Sequence, residues 1–344
     1  MTKKVKIGDI YIGGGERIAV QTMSTLRPSD ERAAAEASAL KDAGCDILRF
    51  SVSDEKDALA FSRLKRAAKL PLVADIHFDY KLALLSIKGG ADKIRINPGN
   101  IGGDDKVLEV ARAVKDAGIP VRVGANSGSI EKDFLVKYGR NEKALGESAL
   151  KQVALLEKFG VDNIVISVKA SSVPLTVKAY EYIAKKTDHP LHLGVTEAGT
   201  AYRGTIKSAV AFGALLPRGI GDTVRVSLSA EPKEEIVAAR TILSALELAK
   251  TPDLIACPTC GRCEWDCMAF AKKTEEYISK LNAPVKVAVM GCVVNGPGEA
   301  ADADVGVAGA KGGCVIFSKG KVLKTVKREE LEREFFAEID KCIR

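Results

Sequence analysis

The sequence predicts a (β/α)8 TIM barrel followed by a smaller α+β domain, and three observations carry that reading. Short β-branched runs alternate with amphipathic stretches eight times between residues 19 and 250. Several of those runs are near-continuous Val, Ile and Leu, as expected of parallel strands buried on both faces. The alternation then stops after Lys250, and seven of the eight cysteines lie beyond it, from Cys257 to Cys342. Eight strand–helix units over about 230 residues match a barrel in count and length. A doubly wound sheet usually carries a Gly-rich fingerprint in its first βα turn; neither G-x-G-x-x-G nor G-x-x-x-x-G-K-[ST] occurs here.

Taken in order, residues 3–15 alternate weakly and end in three glycines, which predicts a hairpin closing the barrel floor. Strands are predicted at 19–23, 46–52, 71–77, 93–97, 120–124, 163–169, 191–196 and 223–228. Helical segments between them include 30–43, 55–68, 105–117, 142–159, 174–186 and 232–250. Ser29 and Ser53 read as N-caps, and Gly44, Gly118 and Gly160 stand where C′ glycines stop a helix. The barrel domain is expected over 1–250 and the second domain over 251–344, with a Cys-rich turn, a helix at 264–281, a strand at 285–290, Gly-rich loops and a final charged helix at 328–341.

Composition narrows the class. With 46% hydrophobic and 28% charged residues the chain is neither disordered nor collagen-like. No apolar run approaches the roughly 18–20 residues of a membrane span; the run at 209–216 has eight. The first residues carry positive charge with no apolar stretch behind them, so a cytoplasmic protein is expected. The net charge of +7 comes without any Lys/Arg block of five or more, and reads as a solvated basic surface rather than a nucleic-acid site.

The C-terminal end of each barrel strand faces the catalytic mouth. Those positions carry Gln21, Arg49, Asp75 with His77, Arg95 with Asn97, Arg122 with Asn126, Ser167 with Lys169, Glu197, and Arg225 with Ser227. Any one of the cations is more simply a snorkelling or ion-paired charge. Five converging on one concave face repel unless an anion sits among them. Four guanidinium forks suit phosphate oxygens, so the set points to a small substrate with about two phosphates or several carboxylates. Glu197 and Asp75 are the acidic members, each either a general acid/base or an orienter of an arginine.

The second domain opens with Cys257-Pro-Thr-Cys260-Gly-Arg-Cys263-Glu-Trp-Asp-Cys267 and continues to Gly291-Cys292-Val-Val-Asn295-Gly-Pro-Gly-Glu299. A C-x-x-C places two thiolates on one turn, which suits zinc or an iron–sulfur cluster. The distal part is a lone Cys292 where zinc ribbons supply a second C-x-x-C. By spacing alone, Cys263 and Cys292 compete for the third and fourth positions. The Asn295–Glu299 loop is poised to present Glu299 toward Cys292, and a carboxylate on a thiolate-bound cluster is a hard, exchangeable ligand. Cys45 reads as a buried core residue, and Cys314 and Cys342 as inert.

These motifs carry a resemblance that runs nearly end to end. Val20-Gln-Thr-Met, Val73-Ala-Asp-Ile-His-Phe-Asp-Tyr, Ile94-Arg-Ile-Asn-Pro-Gly-Asn-Ile-Gly, Ser167-Val-Lys-Ala-Ser, Leu191-His-Leu-Gly-Val-Thr-Glu-Ala-Gly, Gly219-Ile-Gly-Asp-Thr-Val-Arg-Val-Ser-Leu, Cys257-Pro-Thr-Cys and Gly291-Cys-Val-Val-Asn-Gly-Pro-Gly-Glu are similar to the 4-hydroxy-3-methylbut-2-en-1-yl diphosphate synthases. These are iron–sulfur enzymes of the methylerythritol phosphate route to isoprenoids. The resemblance implies a [4Fe-4S] cluster on Cys257, Cys260, Cys292 and Glu299. It implies a substrate, 2-C-methyl-D-erythritol 2,4-cyclodiphosphate, held by Arg49, Arg95, Arg122, Lys169 and Arg225 with Asn126 and Ser227; His77 and Asn295 are counted with them. It implies a two-electron reductive ring opening with loss of water, Glu197 as acid/base, Glu299 displaced by substrate, flavodoxin or ferredoxin as electron donor, and a head-to-tail homodimer. Cys263 and Cys267 fall outside the implied ligand set. The rival classes are a phosphate-binding barrel with a structural zinc domain, and a cluster-bearing nucleic-acid regulator that leaves the strand-end cations unexplained.

Overall fold

The structure is a computed structural model that describes residues 1–97, 100–263, 265–281, 283–294 and 296–343. It divides into two compact units, Met1–Leu246 and Glu247–Arg344. No helix among the described residues is long and apolar enough to cross a membrane.

The first unit opens with the expected hairpin, β1 (Val5–Ile7) antiparallel to β2 (Ile10–Ile12). Val5, Ile7 and Ile12 pack against Ala19, Ile47, Val73 and Val165, which lie at the lower ends of the barrel strands, so the hairpin plugs the floor. The strands follow as β3 (Ala19–Met23), β4 (Ile47–Ser51), β5 (Leu72–Asp75), β6 (Lys93–Arg95), β7 (Val121–Asn126), β8 (Ile164–Lys169), β9 (His192–Leu193) and β10 (Thr223–Val224). All pair in parallel with their sequence neighbours except β8 and β9; β10 returns to β3, and a single bridge from Ile166 to Leu191 joins β8 to the segment entering β9. The ring is nearly closed. Every residue of β5 and β8 is buried, as strands sandwiched between a packed interior and an outer helical layer require.

Helix ends sharpen the sequence reading. The helix at Glu55–Ala68 is capped by Asp54, whose carboxylate accepts from Asp57 N, and not by Ser53. The helix at Ala33–Asp42 starts four residues after Ser29 and has no side-chain cap. The Ser29 hydroxyl and the Ser53 backbone N–H donate instead to the buried Asp57 carboxylate, which also accepts from Arg27. Gly44, Gly118 and Gly160 do take positive φ just beyond their helices. The last barrel helix, Pro232–Ala245, stops short of Lys250 because Glu247 turns left-handed at φ 57°.

The second unit is a five-stranded mixed sheet in sequential order: β11 (Asp253–Ala256), β12 (Lys286–Met290) and β13 (Val305–Ala310) are parallel, and β14 (Gly313–Ser318) and β15 (Lys321–Val326) are antiparallel. Helices Cys267–Ile278 and Leu331–Cys342 cover one face, where Phe270, Ile278, Phe335 and Ile339 bury Val287, Val289, Val305 and Val307. The first begins at Cys267 because Asp266 caps it. Residues expected as Gly-rich loops supply β13–β15. Their glycines make close approaches: a Cβ on Gly306 would lie 2.2 Å from Phe317 Cζ, so the ring lies on bare backbone.

Candidate active site

The register of the barrel collects the predicted side chains on one face. Ser51 pairs with Asp75, Asp75 with Arg95, and Arg95 with Arg122. Because strand side chains alternate, Arg49 and Lys93, each two residues earlier, point the same way, as do Ser167 and Lys169 on β8. Arg225 continues the row beyond β10, its N–H donating to Leu193 O at 3.0 Å. The period of two thus turns separate strand-end cations into one inward-facing cluster.

Two carboxylates sit inside it. Asp75, buried, accepts from Arg95 Nη1 at 3.1 Å and lies 3.2 Å from His77 Nε2 and 3.6 Å from Arg49 Nε. Burial works to raise its pKa, but Arg49, the His77 hydrogen bond, Arg95 and Arg122 overcome that and hold it far below the usual carboxylate range. Asp75 is placed as a counter-ion that orients Arg95 and Arg49. The second carboxylate, Glu235, was not anticipated. It rises from the first turn of Pro232–Ala245, accepts Arg225 Nε and Nη2 in a fork at 3.0 Å each, and also takes Thr22 Oγ1 at 2.6 Å and Leu228 N at 3.0 Å. Lys93, fully buried and touching Gln21 Oε1 at 3.2 Å, is a sixth cation that sequence reasoning also missed.

The remaining cations are not neutralised. Arg122 is 2% exposed, and its Nε and Nη1 have no hydrogen-bond partner among the described residues. Lys169, 8% exposed, has no hydrogen-bond or ion-pair partner among the described residues. Gly194 makes space for it: a Cβ there would lie 2.7 Å from Lys169 Nζ. Burial, then the neighbouring arginines, push the pKa values of Arg122 and Lys169 well below their ordinary values. Burial also brings Arg49 down to about 10, with Asp75 opposing and Arg225 and Arg95 reinforcing. An arginine does not surrender its proton in a protein. The free protein therefore carries the electrostatic cost of these charges, which a bound anion would lower.

His192, inside the barrel, is held neutral by burial and then by Lys169 and Arg122, with Nδ1 2.7 Å from Thr223 Oγ1. Asn126 and Ser227 are half-buried near the strand ends, and His77 is half-exposed. Glu197 is exposed on the turn after β9, with φ 51°. A non-glycine residue there costs about 1–3 kcal/mol, and such strain concentrates at functional positions. Cys45 is a core residue: it lies below β4, away from the mouth, donates to Ile47 O at 3.1 Å, and burial pushes its thiol up to about 12.

In the second unit, β11 and β12 run in parallel, and Cys257 N donates to Val289 O at 2.9 Å. Cys257 and Cys292 therefore leave adjacent strand ends on the same edge. Cys263 N donates to Cys260 O, folding the loop into a turn, and Thr259 stands at φ 61° within it. A Cβ on Gly291 would lie 3.2 Å from Cys263 Sγ and 3.5 Å from Cys257 Sγ, so two thiols converge on bare backbone beside Cys292. Cys260 is exposed, as is Glu299 at the end of the short helix Gly296–Glu299; Asn295 lies outside the described residues. Among the described residues no three His, Cys, Asp or Glu side chains are drawn together closely enough to hold a single ion. Cys267 is buried and its thiol pushed up to about 12, first by burial and then by Cys263 and Cys257. Cys314 is buried in β14, and Cys342 is exposed near the C-terminus.

A nearly closed barrel with a polycationic mouth, joined to a thiol-bearing α+β unit, defines a two-domain enzyme acting on a small polyanion. The chain belongs to the GcpE family: the GcpE TIM-barrel domain matches residues 2–240 and the GcpE protein C-terminal domain residues 253–341. Among its relatives, one from Bacillus subtilis (strain 168) is 51% identical over 342 residues, 98% of this chain and 91% of the relative. Another, from Caldanaerobacter subterraneus subsp. tengcongensis, is 52% identical over 347 residues, 100% of this chain and 98% of the relative. Both are named 4-hydroxy-3-methylbut-2-en-1-yl diphosphate synthase (flavodoxin). The chain is accordingly an enzyme of that class rather than a phosphate-binding barrel with structural zinc. Among solved structures, 3-dehydroquinate dehydratase from Geobacillus kaustophilus (17% identity, TM-score 0.52, covering 72% of this chain and 98% of that one) and dihydropteroate synthase from Yersinia pestis (13%, 0.51, covering 72% and 100%) share the barrel fold.

Proposed function

We propose that this chain catalyses the reductive ring opening and dehydration of 2-C-methyl-D-erythritol 2,4-cyclodiphosphate to 4-hydroxy-3-methylbut-2-enyl diphosphate, in the cytoplasm, with flavodoxin or ferredoxin as electron donor. Two electrons enter, a ring carbon–oxygen bond to phosphate breaks, and one oxygen leaves as water. The observation that carries the reading is the pair of buried cations, Arg122 and Lys169, that lack anionic partners among the described residues at the centre of a cationic mouth. Charge-assisted bonds from a guanidinium to phosphate are among the strongest available, which supports a diphosphate as their partner. Asp75 fixes Arg49 and Arg95, and Glu235 fixes Arg225, so these forks are set before substrate arrives. Asn126, Ser227 and His77 border the same mouth, and Asn295 is retained as a substrate-binding position. Glu197, exposed on the turn after β9, is the proposed acid/base.

The donor set fits an iron–sulfur cluster. Cys257 and Cys292 leave adjacent parallel strand ends, and the thiols of Cys257 and Cys263 meet beside Gly291, where a Cβ would intrude. Cys257, Cys260 and Cys292 would hold the cluster with Glu299 as the hard, exchangeable fourth ligand. When bound, a [4Fe-4S] cluster supplies the electrons and a Lewis-acidic iron. A head-to-tail homodimer is part of the reading. Tyr202, Ile206 and Val210, exposed at four-residue spacing on the helix Ala201–Leu215, offer an apolar stripe for a second copy.

The test is an anaerobic preparation assayed for iron, sulfide and turnover of the cyclodiphosphate with reduced flavodoxin. A brown protein that turns the substrate over, and loses both properties in Cys292→Ser, is expected. A colourless but active protein, or one containing zinc and no iron or sulfide, overturns the reading.

A further inference from the structure

Cys263 stands outside the ligand set just described, yet its sulfur lies beside one member of it, Cys257, at Gly291. The turn closed by Cys263 N and Cys260 O brings residue 263 back beside the first cysteine pair. Its Sγ accompanies Cys257 Sγ at Gly291, the residue preceding Cys292, at 3.2 and 3.5 Å from the position of a Cβ there. Trp265 closes the same corner: its Nε1 donates to Gly291 O at 3.2 Å, while Cys263 Sγ donates to Trp265 O at 3.2 Å. The turn and this pair of bonds hold the thiol half-buried against the site, whereas Glu299 is exposed on a four-residue helix.

Resting on the iron–sulfur reading above, we infer that Cys263 is a reserve ligand: it takes the cluster iron assigned to Glu299 when the carboxylate is lost and no substrate oxygen holds that iron. The chemistry favours the exchange in one direction. A thiolate is the softer donor and the better match to an iron–sulfur cluster, while a carboxylate is the more easily displaced. The step is a ligand exchange; the thiol proton passes to solvent as the sulfur binds, and no electron moves. Its consequence is protective, since a cluster that has lost its oxygen ligand keeps four protein donors in place of an open iron.

The inference is tested on anaerobically reconstituted full-length protein by two readouts that do not depend on turnover. In the first, iodoacetamide labels the holoprotein and peptide masses report which cysteines are blocked. Cys263 is expected to label readily in the wild type and to become protected in Glu299→Ala, together with Cys257, Cys260 and Cys292. In the second, iron release to a chelator is followed in Glu299→Ala and in Glu299→Ala/Cys263→Ser. The double variant is expected to lose iron about tenfold faster or more, the scale on which a supporting group governs metal retention. If Cys263 labels equally fast in Glu299→Ala holoprotein and apoprotein, or if both variants release iron at one rate, the inference falls while the iron–sulfur reading stands. If the wild type takes up no iron and sulfide, both fall. Cys263→Ala in place of Ser separates loss of the thiol from any new hydroxyl contact, and the same acceleration is expected.

Discussion

Arg122 concentrates the trade between stability and binding. A buried guanidinium with two unpartnered nitrogens destabilises the free protein, and replacing such a charge by a well-packed apolar residue is neutral or stabilising by about 1–4 kcal/mol. Losing a buried charge-assisted contact to a phosphate costs about 2–5 kcal/mol in binding. Arg122→Met is therefore expected to unfold at equal or higher urea concentration than the wild type while its kcat/KM falls by about two to three orders of magnitude; lowered stability would show that the guanidinium is structurally paired. Lys169 gives a proton signature. Its pKa in the free protein lies well below 10.5, so over the interval between that lowered value and 10.5 the unfolded chain binds more protons and stability rises with pH. A bound diphosphate favours the charged form and raises the pKa again, so proton uptake accompanies binding in that interval. Calorimetric titration at alkaline pH in buffers of different ionisation enthalpy should detect it, and Lys169→Met should abolish it. The cations were legible because strand-end positions are marked by period and context. Glu235 and Lys93 were not. An acidic residue in a helix's first turn reads by default as a complement to the helix dipole, and a lysine opening a strand reads as a polar flank; in each case the partner is distant in sequence, Glu235 reaching Thr22 and Lys93 reaching Gln21.

At the scale of elements, the barrel strands were legible because burial on both faces writes an apolar run at each one. Their paired lengths were not, since β9 and β10 have two residues each where six were expected, the chain peeling away to present Glu197 and Arg225. The cap at Ser29 failed for a tertiary reason, because Asp57 takes its hydroxyl, and the cap at Ser53 failed for a local one, because the next residue, Asp54, caps that helix. β13–β15 were hidden by glycines that read as loops but serve as clearances for aromatic rings. Gly306→Ala tests that account: its methyl would meet Phe317 at 2.2 Å within a fully buried face. Overpacking of this kind costs about 1–3 kcal/mol. A matching drop in the urea midpoint of the second unit is expected; an unchanged midpoint would mean that the ring shifts freely.

At the scale of the whole molecule, the proposed head-to-tail dimer is tested by complementation. The chain has two units, with the strand-end cations in one and the clustered cysteines in the other, and under the proposed function each site needs one barrel and one cluster unit, taken either from one chain or from two. Arg122→Met disables a barrel and Cys292→Ser disables a cluster, and neither variant alone turns over substrate at an appreciable rate. Mixed after dissociation and reassociation, they discriminate the two cases. If one copy's cluster unit serves the other copy's barrel, a mixed pair contains one site with both halves intact and one with neither. Random pairing makes half of the dimers mixed, so activity should recover to about a quarter of the wild-type value, as a closed two-fold assembly dictates. If each site is completed within its own chain, every site in the mixture carries one lesion and no activity returns. The apolar stripe of Tyr202, Ile206 and Val210 provides the control. Ile206→Asp placed in both variants puts a desolvated charge into the proposed contact, so the recovered activity should vanish as the complex becomes monomeric on size-exclusion chromatography with light scattering. Recovery that persists in monomers would place the contact elsewhere.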